Sequence, residues 1–412
     1  MQEQEASRQN YGTLPPNASG SFYPFTVNTP QSELDELKTL LRLSRLGSPT
    51  YENSLPDRRL GLSFNWLQNA VRYWSEQFDW RKSEEHINSF PNFVSPIRDD
   101  DGKVYDIHFV GLFSRKKDAI PLLLLHGWPG SSLEFLPILD KLRQQHRPDT
   151  FPYHVIVPSL PGYAFSAAAP PDKDMRLEDT ARLLNKLMIS LGFGSDGYIV
   201  QGGDVGSKVA RVIAAEHNAC KAIHINFCIM PEPDHIDNNI PISAAEQKGL
   251  RRANDFKTFG SSYALQHATR PSTIGFALTS NPVSLLAWIS EKFLDWTDED
   301  PPLDVILESV TLYWLTGCSA TALWPYRQLF TPGVIGAHEN PAWHIPHGKP
   351  FGYSWFPMEL APIPRAWAAT TGNLTFYRQH DQGGHFAAVE KPDELWNDFS
   401  EFVQKAWPKR TT

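Results

Sequence analysis

From about residue 120 onward, short apolar runs alternate with helical periodicities. Ile120-Pro-Leu-Leu-Leu-Leu125, Tyr153-His-Val-Ile-Val157, Tyr198-Ile-Val200 and Ala222-Ile-His-Ile225 each read as a short buried strand. Between them lie helical spacings such as Leu183, Leu184, Leu187 and Leu191. Continuous apolar strands alternating with helices predict an α/β fold: a mostly parallel sheet with helices on both faces. Strand character returns at Tyr353-Ser-Trp-Phe356 and Asn373-Leu-Thr-Phe-Tyr377, and an amphipathic helix over Pro392–Trp407 closes the chain.

Two stretches break the alternation. Residues 1–20 read as a loose, flexible tail. Residues 21–118 carry helical patterns, one opening at Ser32-Glu-Leu-Asp35 with capping-box spacing and one running from Asn65 to Phe78. With no strand–helix alternation there, 21–118 is expected to wrap around a core formed by 119–230 and 339–412. From 231 to 338 the chain turns polar, then helical and aromatic (Leu285-Leu-Ala-Trp288, Leu312-Tyr-Trp-Leu315), as expected of a helical lid inserted into that core.

Composition narrows the class. At 412 residues with 41% hydrophobic and 12% aromatic residues, the chain can offset the entropy of ordering, which excludes a disordered protein. A net charge of -8 disfavours a nucleic-acid partner. The three cysteines, Cys220, Cys228 and Cys318, form no CxxC pair and suit a reducing compartment. The polar start has no signal-like apolar stretch, and no run approaches the ~20 residues that span a bilayer. A soluble, cytoplasmic protein with no membrane anchor is expected, and the sequons at Asn17 and Asn373 read as chance matches.

Some motifs lead nowhere. Gly192-Phe-Gly-Ser-Asp-Gly197 matches GxGxxG, but it follows a helix and precedes a strand, the reverse of a dinucleotide site. It reads as a helix-to-strand turn. There is no P-loop, no HExxH and no metal spacing among the histidines, so neither cofactor nor metal is expected.

The chemistry concentrates at Val200-Gln-Gly-Gly203-Asp204-Val-Gly206-Ser, a strand–turn–helix sequence with the form of a nucleophile elbow. The central residue is Asp204 where serine is usual. A serine attacking a saturated carbon would leave an ether that water cannot readily cleave. A carboxylate leaves an ester, which water can open, so Asp204 points to epoxides or alkyl halides. Upstream, His126-Gly-Trp-Pro129 ends the first strong strand, and backbone N–H groups of Trp128 and Val205 are expected to form the oxyanion hole. His126 itself reads as a structural orienter. Downstream, His385 in Gln382-Gly-Gly-His-Phe-Ala-Ala388 is the expected base. Glu359, in the loop after a strand, is the expected orienting acid. Asp381, four residues before the histidine, is its rival.

Taken with Ser159-Leu-Pro-Gly-Tyr-Ala-Phe-Ser166 and the Leu/Trp-rich N-terminal stretch, these motifs resemble the epoxide hydrolases of the α/β-hydrolase superfamily. The likeness is to the microsomal-type branch, especially its soluble fungal members. It covers nearly the whole chain and makes residues 21–118 the family's N-terminal meander. The resemblance implies that two lid tyrosines, at positions matching Tyr263 and Tyr326, hold and protonate the epoxide oxygen, while Tyr313 reads as a buried helix face. It implies a covalent ester on Asp204 hydrolysed by water that His385 activates, a small epoxide and water as partners, and a homodimer. Membrane-bound relatives carry an N-terminal anchor, which is not expected here, and some soluble relatives have Asp at the position of Glu359. Haloalkane dehalogenation and a non-catalytic hydrolase-fold binding protein are the rival readings.

Overall fold

Buried backbone N–H and C=O groups need partners within the protein, and the apolar runs satisfy theirs in one sheet. The computed structural model describes residues 11–407 apart from 238 and 332. Among these residues the strands are β1 (Tyr23–Phe25), β2 (Asn92–Arg98), β3 (Val104–Leu112), β4 (Ile120–Leu125), β5 (Tyr153–Pro158), β6 (Tyr198–Gly202), β7 (Cys220–Ile225), β8 (Phe351–Trp355) and β9 (Leu374–Gln379). They form a nine-stranded sheet in the order β1-β2-β3-β5-β4-β6-β7-β8-β9. Pairing is antiparallel from β1 through β3 to β5 and parallel from β5 to β9. This is the α/β-hydrolase architecture, with the six strands from β4 onward lying where the apolar runs predict them.

Helices cover both faces. In chain order they are α1 (Gln31–Leu43), α2 (Phe64–Glu76), α3 (Trp80–Asn88), α4 (Leu136–Gln145), α5 (Leu177–Met188) and α6 (Asp204–Glu216). Six more, α7 (Ala244–Asp255), α8 (Ser262–Thr269), α9 (Pro271–Thr279), α10 (Pro282–Asp295), α11 (Leu303–Leu315) and α12 (Trp324–Phe330), lie between β7 and β8. Helix α13 (Pro392–Ala406) follows β9. Among the described residues no helix is long and apolar enough to cross a membrane.

The strand register decides where the loops emerge. Leu125 of β4 pairs with Gly202 of β6, which in turn pairs with Ile225 of β7. Tyr353 and Trp355 of β8 lie opposite Tyr377 and Gln379 of β9. The carboxyl ends of these parallel strands therefore lie along one edge of the sheet, where open α/β sheets place their ligands.

Three sequence expectations are corrected. The segment 21–118 contributes strands β1, β2 and β3 to the sheet rather than only wrapping it. Pro96 and the polar interruptions hide β2 from a pattern search. The proline is tolerated because β1 pairs only with residues 92–94, which leaves the strand an open edge beyond them. At the start of α1 no side-chain cap forms: the helix begins after Pro30, whose carbonyl accepts the Glu33 N–H at 3.1 Å. Of the expected loose tail, residues 1–10 lie outside the described residues. Residues 11–20 are anchored at Tyr11, which is 1% exposed and donates its hydroxyl to the His146 carbonyl at 2.7 Å. The Gly192–Gly197 stretch is a turn from helix to strand, with both terminal glycines at positive φ.

The anchoring of Tyr11 can be measured. Its ring also meets Phe151 edge-on at 5.5 Å. Replacing it (Tyr11→Ala) is expected to destabilise the fold by about 3 kcal/mol, as for other buried aromatics. An unchanged urea midpoint would show that the segment is detached in solution.

Candidate active site

The elbow is built from close approaches. Asp204 opens α6 with φ at +41°, a left-handed backbone that a non-glycine residue holds only when its surroundings enforce it. A Cβ on Gly206 would lie 2.3 Å from the Leu125 carbonyl oxygen, and one on Gly202 would lie 2.4 Å from that of Gly206. Glycine at both positions lets β4, β6 and α6 meet tightly enough to lift Asp204 above the sheet edge. Its side chain leans over the loop after β4, where a Cβ on Gly127 would come within 2.3 Å of Asp204 Oδ1. With that space free, the Trp128 N–H donates to Oδ1 at 2.8 Å. Val205 follows in the first turn of α6, where amide N–H groups lack intrahelical acceptors.

The loops after β8 and β9 supply the other two members. Glu359 and His385 are both buried, and Glu359 Oε1 lies 2.5 Å from His385 Nδ1. His385 Nε2 faces Asp204 Oδ2 at 3.5 Å. The same Glu359 oxygen accepts the Leu360 N–H at 2.6 Å, which fixes the carboxylate. The backbone N–H of His385 donates to the Trp296 carbonyl at 2.8 Å, and its ring meets Trp296 and Phe227 edge-on. Burial alone would depress the imidazole, but Glu359 and Asp204 together raise its pKa to about 10. Burial likewise works to raise Asp204, yet His385, Lys208 and the Trp128 N–H hold it below the ordinary carboxylate value.

The lid closes over this group with aromatic rings. Tyr263 of α8 and Tyr326 of α12 are both buried, with ring centroids 5.8 Å apart. Trp128 stacks on Tyr263 at 5.3 Å and meets Tyr326 edge-on at 5.7 Å. His267 wedges between Trp128 and Tyr326, and its Nε2 accepts the Trp288 indole N–H at 3.0 Å. Burial pushes both phenols well above their ordinary pKa, and the negative charge of Asp204 acts in the same direction. Two small cavities flank Asp204. One, of about 20 Å³, touches Trp128, Glu134, Asn226 and His385; the other, of about 10 Å³, touches Lys208, Phe227, Tyr263, Tyr326 and Phe330. Phe256 and Leu360 line both the second cavity and an outer groove of about 1140 Å³ between residues 57–61 and the lid.

Comparison with known proteins agrees with this arrangement. Residues 22–135 match the family model for the epoxide hydrolase N terminus, and residues 120–298 match that for the alpha/beta hydrolase fold. The chain is 44% identical to the "Putative epoxide hydrolase" of Dothistroma septosporum, over 98% of this chain and 94% of that one. It is 32% identical to Epoxide hydrolase 1 of Oryctolagus cuniculus, over 93% and 89% respectively. The solved structure of Aspergillus niger epoxide hydrolase superimposes with a TM-score of 0.91 at 49% identity, covering 97% of this chain and all of that one. The chain belongs to the epoxide hydrolase family.

In this epoxide hydrolase the structure brings Asp204, His385, Glu359, Tyr263, Tyr326 and the Trp128 N–H together, and leaves other candidates outside. Asp381 is exposed. Tyr313 donates its hydroxyl to the Gly130 carbonyl at 2.8 Å, committed to the loop. His126 is fully buried: Nδ1 lies 3.1 Å from the Gly127 carbonyl oxygen and Nε2 accepts the Leu160 N–H at 3.0 Å. That makes it a neutral brace between two loops, with a pKa lowered to about 4 by burial. Among the described residues no group of three or more His, Cys, Asp or Glu is placed to hold a metal.

Two residues at the site escaped sequence reasoning. Glu134 faces the first cavity, with its pKa raised to about 8: burial dominates, His385 opposes and Asp204 adds. Lys208 lies one helical turn beyond Asp204 and lines the second cavity. Its i,i+4 spacing from Asp204 is the signal that could have revealed it.

Two measurements check the geometry. Asp204→Asn removes one of the anions that hold His385 protonated, so the imidazole pKa is expected to fall from about 10; titration by NMR of the ring nitrogens reads this directly. Gly127→Ala is expected to displace the carboxylate and lower kcat/KM by about 10²-fold while the fold is kept. Unchanged kinetics would show that Asp204 has room to move.

Proposed function

We propose that this protein opens epoxides to vicinal diols through an ester on Asp204. The observation that carries this reading is a largely buried carboxylate on a strained elbow, set between an imidazole, a backbone N–H and two buried phenols. Asp204 Oδ2 attacks an epoxide carbon and the C–O bond of the ring breaks. Tyr263 and Tyr326 hydrogen-bond the departing oxygen, which stays tethered to the substrate, and one of them supplies its proton. Their raised pKa keeps them as donors until the alkoxide forms.

Esterification removes the charge of Asp204, and with it one of the two anions that hold the His385 proton. That proton replaces the one lost by the phenol, leaving a neutral imidazole for the second half. His385, oriented by Glu359, then takes a proton from water as the oxygen attacks the ester carbonyl carbon. The Trp128 and Val205 N–H groups receive the charge that develops on Oδ1. Collapse breaks the ester and releases the diol, with the remaining proton passing from the new carboxyl to the leaving alkoxide. The cavity of about 20 Å³ beside Glu134, Asn226 and His385 fits the single attacking water. Phenolic donors suit a tethered alkoxide better than a departing halide, which favours this reaction over dehalogenation.

In a single turnover in heavy-oxygen water, the first diol is expected to carry unlabelled oxygen from the enzyme. Immediate label in the product would point to direct attack by water. His385→Gln is expected to accumulate the ester, seen by mass spectrometry on the peptide that contains Asp204. Tyr263→Phe and Tyr326→Phe should each lower kcat/KM by about 10²-fold. Full hydration activity in Asp204→Ala would overturn the reading.

A further inference from the structure

Lys208 borders the small cavity that Asp204, Tyr263 and Tyr326 share with apolar side chains. It is 4% exposed, and among the described residues its ammonium makes neither a hydrogen bond nor an ion pair. It is held instead between two aromatic faces, 5.2 Å from the Phe227 ring centroid and 5.3 Å from that of Phe330. Those rings attract a cation but leave its N–H groups without acceptors. Asp204, Tyr263 and Tyr326 line the same cavity but none is hydrogen-bonded to Lys208, and the other residues around it, Ile229, Phe256 and Leu360 among them, offer no side-chain acceptor. Burial lowers the pKa of Lys208, while Asp204, Glu359 and Cys228 act to raise it. Burying an ammonium with unmade hydrogen bonds is costly unless water or a ligand completes them.

We infer that Lys208 is a substrate-recognition residue, and that the epoxides this protein handles best carry a carboxylate on an otherwise apolar body. The inference rests on the proposed function and names its substrate class. A carboxylate would accept the free N–H groups of Lys208 while the epoxide ring lies one helical turn away against Asp204. An anionic substrate approaching an anionic nucleophile needs a cation beside it, and Lys208 stands there. When Asp204 is esterified its charge disappears, and the substrate carboxylate then serves as the counter-ion of Lys208.

The test uses epoxy carboxylates of increasing arm length, each compared with its methyl ester. In the wild type, at least one acid is expected to exceed its ester in kcat/KM by about 30-fold, the size of one charge-assisted contact. Lys208→Met should collapse that ratio to about one or below, and Lys208→Arg should retain part of it. The ratio is the readout, because a purely structural role for Lys208 would affect acid and ester alike. Esters opened as well as or better than acids across the wild-type series would overturn the inference and leave the proposed function standing, as would a ratio unchanged in Lys208→Met. If neither acids, esters nor neutral aryl epoxides are opened, the proposed function itself falls and the inference with it.

Discussion

A carboxylate held almost out of water is the constraint on which this structure turns. Taking such a group into a protein interior is costly unless charges and hydrogen bonds replace its hydration. Asp204 receives those replacements from three directions: a backbone N–H from the loop after β4, an imidazole from the loop after β9, and a lysine from the next turn of its own helix. The aromatic lid above it makes each of those interactions stronger than it would be in water. In the proposed reaction the same arrangement favours nucleophilicity, since a carboxylate with few water contacts has little solvation to shed before it attacks.

The environment of His385 follows from that charge. Two carboxylates face one imidazole, and their joint pull outweighs its burial. Asp204 and Glu359 thus flank the His385 ring, and a change of charge at either one changes the proton affinity between them. Glu359 is committed through Oε1 to both His385 and the Leu360 N–H, while its other oxygen is buried without a partner. An acid so fixed orients the ring and stabilises its protonated form without needing to move.

Lid and core divide the work. The parallel strands deliver Asp204, Glu359 and His385 to one sheet edge, where rigid elements position chemistry well. The segment between β7 and β8 adds the phenols and a ceiling of tryptophan, histidine and phenylalanine rings. The inner cavities are water-sized while the outer groove is large. In the proposed reaction a substrate must displace lid side chains to enter, and closure behind it would exclude bulk water from the ester.

Much of this was legible in the order of residues alone. The continuous apolar runs marked β4 to β7 because strands buried on both faces have little polar alternation to disguise them, whereas β9 fully buries only Phe376 and showed as a short aromatic stretch. The elbow was legible because close approaches at Gly202 and Gly206 leave glycine as the residue that fits, and the aspartate between them limits the reaction class. The antiparallel strands β1 to β3 were not legible: Pro96 and the polar residues around it look like loop until β1 and β3 are seen to pair with β2. Glu359 was preferred over Asp381 from chain spacing alone, since Asp381 lies only four residues before the histidine; the packing of the loops after β8 and β9 sets Glu359 against His385 and leaves Asp381 exposed. Lys208 and Glu134 read as ordinary helix and turn residues, since nothing local says that water is excluded around them. Local sequence determines which residues can turn, extend or attack, because those are properties of one residue and its neighbours. Burial, and with it the proton affinities of Asp204, His385 and Lys208, is decided by distant segments folding over the site, because desolvation depends on everything within reach of a charge.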